Sequence, residues 1–220
     1  MSASMVTDCL LVLVILLNLG MLAVSRLATG VRLFALQSLL LAFLPLAEEV
    51  LQGESPGLHA MLILAGTVAL KVVLIPSILL RIIRTGEIHR EVEPFIGFTA
   101  SVFVGALLVI GSFAVATRLP LPTPPVSRLI VPVALSTLLL GLLTLVSRLK
   151  AITQVLGFLV LENGVFILGI LLLKQTPLLV EMGILLDLFV GVFIMAIVVY
   201  QIRREFDHMD TNLLDALKES

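Results

Sequence analysis

The chain has no tryptophan, a single tyrosine and a single cysteine. One cysteine, Cys9, excludes a disulfide within the chain, and with it a cysteine-held zinc site or iron–sulfur cluster. The histidines, His59, His89 and His208, fall in predicted loops or the tail and lie far apart, so they lack metal-ligand spacing. With only Tyr200 near a span end, the usual interfacial aromatic belt is almost missing. Charge is scarce as well, at 13% of residues. A net charge of -1 calls for no nucleic-acid partner and says little about any other.

What fills the chain instead is apolar: 60% of its residues are hydrophobic and the mean hydropathy is +1.20. No soluble domain of 220 residues needs so much apolar surface, so the bilayer is the expected solvent. The first apolar run follows no basic segment and is too long for the core of a cleaved signal, so it reads as a permanent span. Apolar runs of about 20 residues predict seven spans, over 8–27, 31–51, 58–82, 95–117, 127–148, 152–174 and 178–202. The first two are separated by "ATG", where Arg26 and Arg32 bracketing Gly30 predict a tight turn at a surface. Between the fourth and fifth, the prolines of "RLPLPTPPVSR" forbid a continuing helix.

One face of this arrangement carries Arg26, Arg32, Arg81, Arg84, Arg90, Arg148, Lys150, Arg203, Arg204 and Lys218; the other carries only Arg118, Arg128 and Lys174. The positive-inside bias puts the N-terminus outside and the C-terminus in the cytoplasm. The tail "REFDHMDTNLLDALKES" spaces Phe206, Met209, Leu213, Leu214 and Leu217 as an amphipathic helix would.

The ends of the chain repeat. "VSRL" stands at 24–27 and again at 146–149, each time between two spans. A third span follows each, closing on "RIIR" at 81–84 or "QIRR" at 201–204. The expected fold is therefore an all-α integral membrane protein of about seven transmembrane helices. Two parallel three-helix units, 1–94 and 127–204, are joined by a connecting helix and Pro-rich outer loop over 95–126, and 205–220 forms the cytoplasmic tail.

Lys71, Glu162 and Asp187 are the ionisable residues set deep in predicted spans, about 13–20 Å along the helix axis from a span end. Each costs roughly 2.5–3.5 kcal/mol at that depth if left charged and alone. Three such costs approach the whole stability of a fold, about 5–15 kcal/mol, so the groups must be paired, neutralised or hydrated. Asp187 is framed by Gly183 and Gly191 on one helical face. Pro76 removes the amide that would bond the carbonyl of Val72, which weakens the helix just after Lys71. Glu162 precedes Asn163 and Gly164, a polar and mobile patch, and Gln37 and Asn18 add neutral polar groups. Pro45, Gly20, Gly105, Gly111 and Gly141 read as ordinary packing or kink residues. The plainer reading is a structural ion pair between Lys71 and Glu162 or Asp187. The sharper one is a lateral proton relay through these groups, since low dielectric disfavours the charged form of acid and amine alike.

Three stretches carry a family resemblance: "LVLENG" at 159–164, "ALKVVLIPSILLR" at 69–81, and the last span with its tail. On these the whole chain resembles HyfE, the E-type membrane component of formate-hydrogenlyase-like group-four nickel–iron hydrogenase complexes. From about residue 127 it also resembles the K-type subunit of complex I (NuoK) and the C-type subunit of cation/proton antiporters. Those have three spans, with a buried carboxylate in the second and another in the third. Glu162 matches the former and Asp187 the latter, with Asp in place of the usual Glu and a shorter connection between the two. The first triplet departs further, with Gln37 and Lys71 instead of carboxylates.

The resemblance implies a non-catalytic subunit in a bacterial or archaeal cell membrane. It implies antiporter-like large membrane subunits, a redox-linked membrane subunit and hydrogenase-type hydrophilic subunits as partners, beside the lipid bilayer. No cofactor is expected in this chain; a nickel–iron centre and iron–sulfur clusters belong to those partners. The implied proton-pathway residues are Glu162, Asp187, Lys71 and Gln37. The alternatives are a purely architectural membrane subunit and a freestanding ion transporter. The latter is disfavoured because transporter repeats are more often inverted than parallel.

Overall fold

A computed structural model describes residues 3–51, 57–85, 95–119 and 127–172 of the chain. The predicted seventh span with Asp187, the residue Lys174 and the tail lie outside the described residues. Among the described residues the secondary structure is helical throughout. The helices are α1 (Ala3–Ala23), α2 (Leu27–Ala42), α3 (Leu44–Leu51), α4 (Leu58–Thr67), α5 (Ile75–Thr85), α6 (Phe98–Ala116), α7 (Ile130–Ser147) and α8 (Ala151–Leu172). A π-helical stretch, Val68–Leu74, joins α4 to α5. Taken with their continuations, these give 6 helices long and apolar enough to cross a membrane. The fold is an all-α, multi-pass membrane protein.

The first turn differs from the expected one. It lies at residues 24–26, and Gly30 is already inside α2. The second turn follows the same rule. Arg26 and Arg148, the arginines of the two "VSRL" copies, both adopt extended backbone where one helix gives way to the next. In α2, Gly30 faces Leu156 of α8, where an added Cβ would meet its side chain at 3.4 Å. Its smallness serves packing and not a turn.

The first two helices pack side by side with α7 and α8. Asp8, Asn18 and Leu22 of α1 bond respectively to Ser127, Thr137 and Arg148 at or on α7, so α1 and α7 run parallel. Gly30 and Ser38 of α2 meet Leu156 and Asn163 of α8 in the same sense. The hydrogen-bonded partners are 119, 125 or 126 residues apart. The "VSRL" copies are offset by almost the same amount, 146 − 24 = 122.

The tightest seam is between α7 and α8. A Cβ on Gly141 would lie 2.4 Å from the amide nitrogen of Leu161, one on Gly157 2.7 Å from that of Leu145, and one on Gly164 2.7 Å from that of Leu138. Backbone meets backbone here, which only glycine permits and which is how helices associate strongly within lipid. Gly164 is therefore a packing residue, and the patch after Glu162 is held, not mobile.

Toward the Asp8 end an apolar layer fills the bundle. Leu11, Val14 and Ile15 of α1, Leu41 of α2, Leu44 of α3, Ile130, Val133 and Ala134 of α7, and Ile167 of α8 make it up. One turn nearer the Arg26 end, α1, α2, α7 and α8 change character. Asn18, Gln37, Ser38, Thr137, Glu162 and Asn163 are all buried there.

A mid-membrane ion pair and its polar layer

Lys71 points into this polar layer from the π-helical stretch. Proline at 76 explains the stretch. It has no amide to offer the carbonyl of Val72, and its ring crowds that carbonyl. The ladder slips by one residue, and the amide of Ile75 bonds to the carbonyl of Leu70. Ser77 gives its hydroxyl to the carbonyl of Val73. Short π segments inside α-helices occur frequently at functional sites.

Lys71 Nζ lies 2.9 Å from Glu162 Oε1, with both side chains 4% exposed. It also donates to Asn163 Oδ1 at 3.3 Å. The ring of Phe166 presents its face to the ammonium, 5.9 Å from centroid to Nζ. Asn163 is aimed by its own amide nitrogen, which donates to Ser38 Oγ at 3.1 Å. Three helical segments thus converge on one cation: the π stretch supplies it, α8 receives it, and α2 orients the receiver. Glu162 is 11 residues past the start of α8 at Ala151, about 16 Å of rise and half the hydrocarbon thickness.

A second pair shares the layer. Asn18 Nδ2 donates to Thr137 Oγ1 at 3.0 Å, fixing α1 to α7. Gln37 is fully buried on α2, and neither its amide nitrogen nor its amide oxygen has a hydrogen-bond partner among the described residues. The structure therefore brings Lys71 and Glu162 together and places Gln37 in the same layer. Asp187 lies outside the described residues.

No family model matches the chain, and no solved structure does. Curated relatives do. An uncharacterized protein of Mycobacterium tuberculosis, Rv0085, is 30% identical over 192 residues, covering 86% of this chain and 85% of that protein. Hydrogenase-4 component E of Escherichia coli is 28% identical over 218 residues, covering 99% of this chain and 100% of that protein. The component E of Shigella flexneri matches with the same figures. The chain belongs to the hydrogenase-4 component E (HyfE) family.

In this HyfE-family chain, sequence reasoning passed over three participants. Ser38 was invisible because one serine in an apolar run carries no signal; only its bond to Asn163 singles it out. Thr137 is equally quiet. Arg148 was counted with the surface charges, yet it is buried, donates to the carbonyl of Leu22 at 2.8 Å and lies 4.4 Å over the ring of Phe98. It caps the C-terminal end of α1, where a cation is favoured. Its place at the centre of the repeated "VSRL" was the available clue. Among the described residues, no group of three or more His, Cys, Asp and Glu side chains gathers as a metal site would require.

Proposed function

We propose that this chain is a membrane-arm subunit of a complex I-like, group-four nickel–iron hydrogenase complex of the formate-hydrogenlyase type. Its Lys71–Glu162 pair, with Gln37 and with Asp187 of the last predicted span, carries a segment of a lateral proton pathway. The name of the E-type relatives supports the hydrogenase assignment. The offset pairing of α1 with α7 and of α2 with α8 supports two parallel three-helix units, the second of them NuoK-like. Nickel, iron–sulfur clusters and electron transfer belong to partner subunits, and the N-terminus faces outside.

The observation that carries the reading is the ion pair itself, sealed at mid-membrane inside a layer of polar side chains. A proton leaves Lys71 Nζ and bonds to Glu162 Oε1; the ammonium becomes an amine and the carboxylate an acid. Net charge is unchanged, so the transfer needs no counter-ion in a low-dielectric interior. Asn163 and Ser38 keep donor and acceptor aligned. A charge arriving on either side along the layer biases which partner holds the proton.

The same geometry suits a second, architectural role, in which the pair ties the π stretch to α8. Two variants of the intact complex separate the roles. Glu162→Gln is expected to assemble, keep redox turnover and lose proton translocation. The double change Lys71→Met with Glu162→Leu replaces a buried pair by apolar groups of similar volume, which folds commonly tolerate. A pathway predicts an assembled complex that no longer translocates; normal stoichiometry in that double variant would leave only the architectural role.

A further inference from the structure

We propose that Lys71 is a tethered cation that sets the ion selectivity of this site, so that the ion handled at Glu162 is the proton and not sodium. This rests on the proton-pathway reading above and assigns the group that excludes sodium from it. Glu162, Asn163 and Phe166 lie within about one turn of α8 and present to one point a carboxylate oxygen at 2.9 Å, an amide oxygen at 3.3 Å and an aromatic face. All three are what a monovalent cation seeks. Asn163 could have turned its NH2 group to that point. Its bond to Ser38 spends the NH2 on α2 and commits the oxygen to the cation.

The occupant is the chain's own ammonium, and two properties follow. Being covalently attached, it is present at any salt concentration. A second monovalent cation brought to about 4 Å from it would be disfavoured roughly a thousandfold at intermediate dielectric. And unlike Na+ or K+, an ammonium can hand over a proton and take it back. A nest that would otherwise bind alkali cations is thereby converted to one that handles only protons.

The test uses the intact complex in liposomes, with redox-driven acidification and radioactive sodium flux read side by side. The wild type is expected to translocate protons equally well when Na+ is replaced by choline. Lys71→Ala is expected to lose most of its translocation and to regain part of it with added methylammonium. A wild-type requirement for Na+, or a sodium flux that Glu162→Gln abolishes, overturns the proposal. So does a Lys71→Ala complex that methylammonium fails to rescue. Should Lys71→Ala not assemble, Lys71→Arg keeps a tethered cation that does not release its proton. It is expected to be inactive in translocation and indifferent to Na+, and sodium-dependent activity in it overturns the proposal. Failure of the pathway reading looks different, because Glu162→Gln then leaves proton translocation intact with or without sodium.

Discussion

Gln37 and Lys71 are opposite solutions to the same problem of a polar residue in lipid. Lys71 meets an acid, an amide and a ring. Gln37 is fully buried with both ends of its amide unbonded among the described residues. Leaving a buried amide group unsatisfied costs about 1–3 kcal/mol, a cost that a purely structural residue has no reason to keep. Gln37→Leu is therefore expected to raise the thermal unfolding midpoint of the complex, by the equivalent of about 1 kcal/mol. It should also lower proton translocation several-fold. A stability gain with unchanged translocation would remove Gln37 from the pathway. The sequence marked Gln37 as polar within an apolar run; it could not say that its amide finds no partner.

At the scale of elements, two devices hold the site. One is the register slip before Pro76. Pro76→Ala restores an amide to the ladder, favouring an α register, and would turn Lys71 relative to its flanking helices by up to about 100°. The ion pair would break. Proton translocation is expected to fall with assembly retained, and the infrared carbonyl band of a protonated Glu162, identified by its loss in Glu162→Gln, is expected to appear. The other device is the glycine seam. At Gly141 the partner atoms are backbone, 2.4 Å from an added Cβ, and cannot swing aside. Gly141→Leu is expected to destabilise by about 1–3 kcal/mol or more, read as a lowered unfolding midpoint and loss of this subunit from the complex. The weakened helix after Lys71 was legible from proline chemistry alone. That Gly164 is clamped was not, because a glycine beside Asn163 and Glu162 reads equally as mobile or as packed until the facing helix is seen.

At the scale of the molecule, an apolar layer lies against a polar one, and the polar one lies near mid-membrane. Proton movement within it would run along the membrane plane, with the layer of Leu11, Val14, Leu41, Val133 and Ile167 shielding the Asp8 end. Orientation rests on the basic residues, and it can be checked directly. In a Cys9→Ser background, Arg118→Cys is expected to react with a membrane-impermeant maleimide in intact cells. Arg26→Cys, exposed at the opposite end, should react only after permeabilisation. The reverse pattern would invert the topology.

The sequence by itself determined the class of fold, because span length and hydropathy answer to bilayer thickness and not to packing. It determined that Lys71 and Glu162 could not stand alone at that depth, because an isolated buried charge is too costly. It also showed the repeat, since "VSRL" stands at the turn after the first span and again at the turn after the fifth. Only the tertiary structure showed that the lysine meets Glu162, since helices three spans apart in the chain are brought together by contacts that no local pattern encodes. Only it showed that Asn163, aimed by Ser38, completes the cation's surroundings, because a hydrogen bond between residues 125 apart is a property of the packed bundle.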